Sequence, residues 1–454
     1  FRVPEKIEKA ACLEICFFDF SADCYRKVQL AEKEREMKLT EETPFFFIYS
    51  VWTKNGEYRE QVKRLVTDYD NYISLKLAGD DAYLSEKMVG YPAELDEVYA
   101  ESFEEQKKEW FSGGGDGRKD CFCEKKGKEE IWKKQSSSDD FEEGLEFELA
   151  LTIDRPELYN DFLQKDGTTF CHDYWKNNFL EHHPLSQKQA TRLYIGNQFC
   201  HNLFPEKKQL FQMLEKAFEN KLAVTIAFTY VRDNLLEETE KLLQELQVWC
   251  QEKEQEVSKQ QVATKEQKGS RKQPAMEIIV NDWAMPALLH GKPHLKPVLG
   301  VLLNKRRKDV RLPYKHGIGN HVDSLAENNL NCGFYQNYLK NTLNIQRFEF
   351  ESCGYKVTIP DGHHSLHLPF FQTNASQYCT LYACCRYGDR GKQELPENCP
   401  NYCDKKVFLY PKHLKMVGRY NSLFGYDEKI LWDEKQLQDY LEQGIDRIVV
   451  NVSL

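Results

Sequence analysis

Five of the fifteen cysteines in this 454-residue sequence, Cys379, Cys384, Cys385, Cys399 and Cys403, fall within one window of 25 residues. Cys399-Pro-Asn-Tyr-Cys403 is a C-x3-C pair whose thiols can face one centre, and Cys379 precedes it by 19 intervening residues. Cys200 lies five residues past the apolar run Leu193-Tyr-Ile195. Thiolates are soft ligands, and four of them gathered at one place suit a [4Fe–4S] cluster or a structural zinc. The spacing leaves those two metals open, and it leaves Cys384 or Cys385 as an alternative to Cys379. A cysteine taken singly reads as an inert buried thiol, which is the reading for Cys12, Cys16, Cys24, Cys171, Cys250, Cys332 and Cys353. Cys121-Phe-Cys123, inside a polar stretch, reads as a surface pair. An odd cysteine count spread over a long chain is not the pattern of a secreted disulfide scaffold and points to a reduced cytoplasm.

A second group of residues could act on a substrate. Asn281 and Asp282 directly follow the strand-like Met276-Glu-Ile-Ile-Val280, where an amide and a carboxylate can orient a ligand or move a proton. Asp282 serves equally well as a helix cap. Asn304-Lys-Arg-Arg-Lys308 is a dense basic patch after another apolar run, so Asn304, Lys305, Arg306 and Arg307 are candidates for binding carboxylate or phosphate. Arg347 and Glu349 alternate on one strand and point the same way, as an ion pair would. His367 sits inside a strand, as a catalytic base or a satisfied core histidine. Asn281, Asp282, Arg347 and His367 are thus the candidate catalytic residues. No G-x-S-x-G, H-E-x-x-H or Walker A loop occurs, so nothing supports a serine hydrolase, a zinc peptidase or a P-loop enzyme.

These residues need a scaffold, and the chain supplies the material for one. Hydrophobic residues at 41% exclude wholesale disorder. The net charge of −10 excludes a general nucleic-acid coat or a basic membrane binder. No run of 18 apolar residues exists, so no transmembrane helix and no membrane partner is expected. Residues 101–144 are charged and Gly/Ser-rich and read as an insertion or linker. They close an N-terminal α+β domain, 1–144, whose most apolar run is Pro44–Trp52. From Leu145 to Leu454, strand-like runs (Leu145–Ile153, Leu193–Ile195, Ala223–Thr229, Met276–Val280, Pro297–Leu303, Gln346–Phe350, Ser365–Phe371, Gly444–Asn451) alternate with helical ones. Such alternation implies parallel strands with right-handed crossovers. With no G-x-G-x-x-G after any strand, the α/β fold expected is a (β/α) TIM-like barrel carrying the cysteine cluster at its mouth.

Leu193-Tyr-Ile-Gly-Asn-Gln-Phe-Cys200, Ile279-Val-Asn-Asp-Trp283, Pro297-Val-Leu-Gly-Val-Leu-Leu-Asn-Lys-Arg306 and Ser365-Leu-His-Leu-Pro-Phe370, in that order, resemble the collagenase-like peptidase family. That family includes the proteins of oxygen-independent ubiquinone and RNA hydroxylation. The resemblance covers residues 189–454. It implies a barrel with a [4Fe–4S] cluster on Cys200, Cys399, Cys403 and a fourth cysteine. The fourth is Cys379, with Cys385 close behind, although Ser376-Gln-Tyr-Cys379 replaces the family's Gly-Arg-Cys. It further implies oxygen-independent hydroxylation of RNA or a small aromatic substrate from an organic hydroxyl donor such as prephenate, with Lys305, Arg306 and Arg307 holding the anion. Family members work in pairs, so a second barrel protein is an expected heterodimer partner. The rival readings are a non-catalytic partner subunit, a zinc-stapled binding protein, and a peptidase, the last without any supporting motif.

Overall fold

In the computed structural model, the sheet that organises the molecule is a closed ring of eight parallel strands. They are β1 (Glu148–Ile153), β2 (Arg192–Ile195), β3 (Ala223–Ile226), β4 (Met276–Val280), β5 (Leu295–Leu299), β6 (Arg347–Glu351), β7 (His364–Leu368) and, after four further strands, β12 (Ile445–Val450). The last of these pairs with both β7 and β1 and closes the barrel. The structure describes residues 2–3, 6–7, 10–19, 24–42, 47–67, 72–77, 83–87, 104, 107–108, 110–111, 146–264, 276–308, 310, 325–387, 394–396, 398–409 and 415–454. The Cys121–Cys123 pair and most of 101–144 lie outside them.

The helices follow from apolar spacing. Helix α1 (Pro156–Gln164) starts on a proline, which suits a first helical turn. Asp166 caps α2 (Gly167–Asn177) by accepting from the Thr168 and Thr169 N–H groups. On α3 (Lys207–Glu219) the buried residues Leu210, Met213, Leu214 and Ala217 recur at intervals of three and four, one face of a helix. Helix α4 is the longest of these, Leu236–Thr264. Helices α5 (Gly333–Asn341), α6 (Thr380–Tyr387) and α7 (Glu434–Glu442) complete the set used below.

Side chains alternate across each strand, so every second residue enters the barrel. The layer nearest the strand starts is ionic. Arg447 donates to Glu148 at 2.6 Å and to Glu277 at 2.6 and 3.0 Å, and Arg192 reaches the same two carboxylates at 2.8 and 3.2 Å. Above it, Ala150, Tyr194, Ala227, Ile279, Val298 and Val449 form an apolar plug. Arg347 and Glu349 do both face inward but do not pair with each other. Arg347 makes a two-pronged bond to Asp446 at the start of β12 (2.6 and 3.1 Å), while Glu349 pairs with His367 and accepts from the Tyr194 hydroxyl at 2.9 Å. Two residues along a strand are a layer apart, so Arg347 reaches Asp446 beyond the adjacent β7 while Glu349 pairs with His367 on β7 itself.

Glu277 makes this layer sensitive to acid. Burial alone would raise its carboxyl, but the Arg447 and Arg192 guanidiniums outweigh burial and hold it down at about 2. A folded value below the ordinary glutamate value of about 4.3 gives stability that is complete above about pH 5 and lost as pH falls towards the folded value. We expect roughly 3 kcal/mol to disappear between about pH 5 and 2, read by urea unfolding. In Glu277→Gln that part of the acid dependence should vanish; an unchanged slope would exclude Glu277 as its source.

The chain leaves β7 through Leu368-Pro369. Proline has no N–H to give a ladder, so the expected strand Ser365–Phe371 is two strands. The second, β8 (Phe370–Ala375), belongs to a four-stranded antiparallel sheet inserted between the seventh and eighth barrel strands, with β9 (Phe408–Leu409), β10 (Met416–Arg419) and β11 (Ser422–Tyr426), in the order β8-β11-β10-β9. Ahead of the barrel the chain forms two antiparallel sheets. Arg35–Glu42 pairs with Phe47–Thr53 in one, and Ala10–Asp19 pairs with Cys24–Ala31 and Tyr72–Leu77 in the other. The helix Gly56–Thr67 contributes Tyr58 to a small apolar cluster with Ile7, Leu13, Leu30 and Tyr49. No helix of the described residues is long and apolar enough to cross a membrane.

Candidate metal centre

In a parallel barrel the loops beyond the strand ends carry the reactive groups, and the cysteines stand on that side. Asn197, two residues beyond β2, fixes the first loop: its Oδ1 accepts from the Phe199 and Cys200 N–H groups at 2.8 Å each, and its amide donates to the Asp154 carbonyl at 3.1 Å. Cys200 is thereby held on a tight turn. The other three cysteines come from the inserted sheet and its loops. Cys379 stands just before α6, and its Sγ donates to the Tyr420 carbonyl at 3.0 Å and accepts from the Tyr382 N–H at 3.3 Å. Cys403 lies in the short turn Tyr402–Asp404, entered through Asn401 in the left-handed region (φ 56°), and its carbonyl receives Arg419 at 2.9 and 3.1 Å.

Cys200, Cys379, Cys399 and Cys403 line one cavity, with Leu203, Leu381, Tyr382, Pro396, Tyr402 and Tyr420 among its walls. Cys384 and Cys385, the alternatives to Cys379, sit on α6 and do not line it. All four lining thiols are free. Burial pushes the Cys200 thiol up to about 11, opposed by the Asn202 and Leu203 N–H groups and reinforced by Cys399. Burial likewise pushes Cys379 up to about 12, with Cys200 and Cys399 adding to the rise, and raises Cys403, with Cys200 and Cys379 adding. The thiols therefore feel one another, and several thiolates together would require a cation among them. Among the described residues no three His, Cys, Asp or Glu side chains are grouped as ligands of one ion. A tetrahedral zinc would need its sulfurs about 3.8 Å apart, given Zn–S bonds of about 2.3 Å.

The candidate substrate residues stand at several depths. Asn281 is buried at the end of β4, donating to the Phe228 carbonyl at 2.8 Å and to Gln198 at 3.2 Å, and accepting from the Leu302 N–H. Gly300 makes room for it, because a Cβ there would lie 2.0 Å from the Asn281 Oδ1. Asp282 accepts from the Ala284 N–H at 2.7 Å, the turn that starts the short helix Met285–Leu288. Asn304 donates to the Glu349 carbonyl at 3.1 Å, and its buried Oδ1 has no hydrogen-bond partner among the described residues. The basic patch divides in two. Lys305 and Arg307 are exposed, whereas Arg306 turns in to the Cys353 sulfur at 2.9 Å and the Glu351 carbonyl, and Lys308 pairs with the Glu351 carboxylate. His367 lies lower, edge-on to Tyr194 with ring centres 5.5 Å apart. Arg347 is at the opposite end of the barrel from the cysteines. Neither Asn197 nor Arg419 stands out in the sequence; the only signal for Asn197 is its place between a strand end and Cys200.

Compared with family models, with curated proteins and with solved structures, the chain gives no match in any of the three.

Proposed function

We propose that the chain is an iron–sulfur barrel protein of the oxygen-independent hydroxylase type, with Cys200, Cys379, Cys399 and Cys403 holding a [4Fe–4S] cluster. One observation carries the reading: four thiols from one barrel loop and one inserted sheet line a single cavity. The donor set fits such a group. It is all sulfur, its walls are largely apolar and aromatic, and backbone N–H groups already point at Cys200 and Cys379. The motif resemblance to the collagenase-like peptidase family supports the same assignment, and a reduced, cytoplasmic setting belongs with it.

With every iron bound to a thiolate, such a cluster would supply electrons or rigidity and no open iron. The protein's own groups would do the rest. Asn281 and the unpartnered Asn304 oxygen orient a substrate at the mouth, and the exposed Lys305 and Arg307 attract an anionic donor or an RNA backbone. Arg306 and Asp282 shape the loops that present them. The His367–Glu349 pair and Arg347 act from below as positioning residues. The exposed rings of Trp283 and Phe334, beyond the end of β4 and at the start of α5, offer faces for an aromatic base or a second barrel protein.

The test is anaerobic purification followed by iron, acid-labile sulfide and zinc analysis. The expected result is about four irons and four sulfides per chain. Zinc without sulfide would replace this reading with the zinc-stapled one.

A further inference from the structure

Away from the cysteines, a second cavity opens where β1 ends. It is lined by Glu104, Lys107, Arg155, Glu157, Asp161 and Tyr174, together with other residues of α1 and α2. Arg155 and Glu157 are 4.0 Å apart and nearly satisfy each other. Lys107 is different. It comes from a segment ahead of the barrel, is only 1% exposed, and makes no hydrogen bond or ion pair with any described residue. Its ammonium lies 6.0 Å from the centroid of the Phe111 ring. A buried lysine is almost always paired. Lys107 has no such partner among the described residues and lines a cavity, so it is arranged to meet something that enters there.

The charge around Lys107 narrows what that is. Burial pulls its ammonium down to about 7; Glu104 and Asp154 oppose the fall, while Arg155 and Arg419 deepen it. Near neutral pH much of the amine therefore carries a free electron pair, the state in which lysines act as nucleophiles. Three carboxylates, Glu104, Glu157 and Asp161, line the cavity against the one guanidinium of Arg155, and Lys165 pairs with Asp161 from outside the lining, so the charge there does not favour a multiply charged anion. A small neutral carbonyl compound fits both facts.

We propose that this cavity is a carbonyl-capture site in which the Lys107 amine adds to a small aldehyde or ketone. The Nζ electron pair forms the C–N bond as the carbonyl π pair moves to oxygen, which takes a proton. The resulting carbinolamine loses that oxygen as water and leaves an imine, and hydrolysis reverses the sequence without any change of oxidation state. One of the lining carboxyl groups, Glu104, Glu157 or Asp161, would pass the proton.

Treating the intact chain with limiting propionaldehyde and cyanoborohydride reduces any imine to a stable propyl-lysine that peptide mass spectrometry can locate. Lys108, the exposed next residue, is the internal reference. An ordinary lysine amine, with a pKa of about 10.4, is less than about one-thousandth neutral at pH 7. Lys107 is therefore expected to be labelled at least about tenfold more than Lys108 even after steric losses. The preference should vanish in denaturant, and Lys107 labelling should be half-maximal near pH 7, in line with its lowered ammonium. Equal labelling of the two lysines in the folded chain, or a half-maximum above about pH 9, would overturn the proposal.

Discussion

Replacing Cys403 by serine is expected to remove the visible absorbance of the anaerobically purified protein and to drop its iron and sulfide from about four each per chain to below one. The size of the effect follows from position. Cys403 is buried, its turn is pinned by Arg419, and burial already disfavours a charge there unless a metal takes the thiolate. A serine oxygen is a poorer, harder ligand, and three thiolates would leave one iron without a protein ligand, from which the whole cluster would come apart. Because bound metal contributes to folding, the inserted sheet should also become easier to cleave with protease. Cys385→Ser is the control. Cys385 does not line the cavity, so iron and colour should stay at the parent level. Full retention of iron in Cys403→Ser would dismiss this ligand set.

The largest loss of stability is expected at Arg447. Its side chain is 2% exposed and bonds Glu148, Glu277 and the Tyr194 hydroxyl. Arg447→Met keeps much of the volume but leaves two carboxylates sharing only Arg192 and, at 4.0 Å, Arg347. Removing one partner of a buried ion pair costs about 3–5 kcal/mol, since the charges left behind remain desolvated. Arg347→Met makes the comparison. Its main partner Asp446 is 38% exposed and can turn to water, so the loss should be about 1 kcal/mol. Urea unfolding of the two variants measures both. Similar losses would mean that the layer is no drier at its centre than at its rim.

Much of this architecture was legible in the sequence. Met276–Val280 is apolar over its whole length apart from Glu277, as a strand buried on both faces must be, and its bounds are those expected. Leu145–Ile153, whose strand proper begins at Glu148, is the strand that completes the ring. The inserted sheet was hidden for a physical reason. Its strands are short and antiparallel, β9 has only two residues, and Gly418 and Gly425 interrupt the β10 and β11 patterns, so periodicity has little to register. At the site, the cysteine spacing names the four that line one cavity, Cys200, Cys379, Cys399 and Cys403, but leaves Cys385 as a rival to Cys379. That choice depends on which way α6 turns its first residues. The basic run read as one patch because sequence does not show that Arg306 and Lys308 face inward while Lys305 and Arg307 do not.

The inserted sheet also sets the order in which the molecule can be built. All four lining cysteines precede β12 in the chain, and β12 is the strand that joins β7 to β1. Until it arrives, the sheet has two open edges, the kind of surface that invites mispairing. The bond that then forms from Arg447 to Glu148 spans 299 residues, and contacts so distant along the chain are slow to make. Ring closure is therefore the step expected last in folding. A cluster held by these thiols would thus find its ligands already made while the barrel behind them is still ajar.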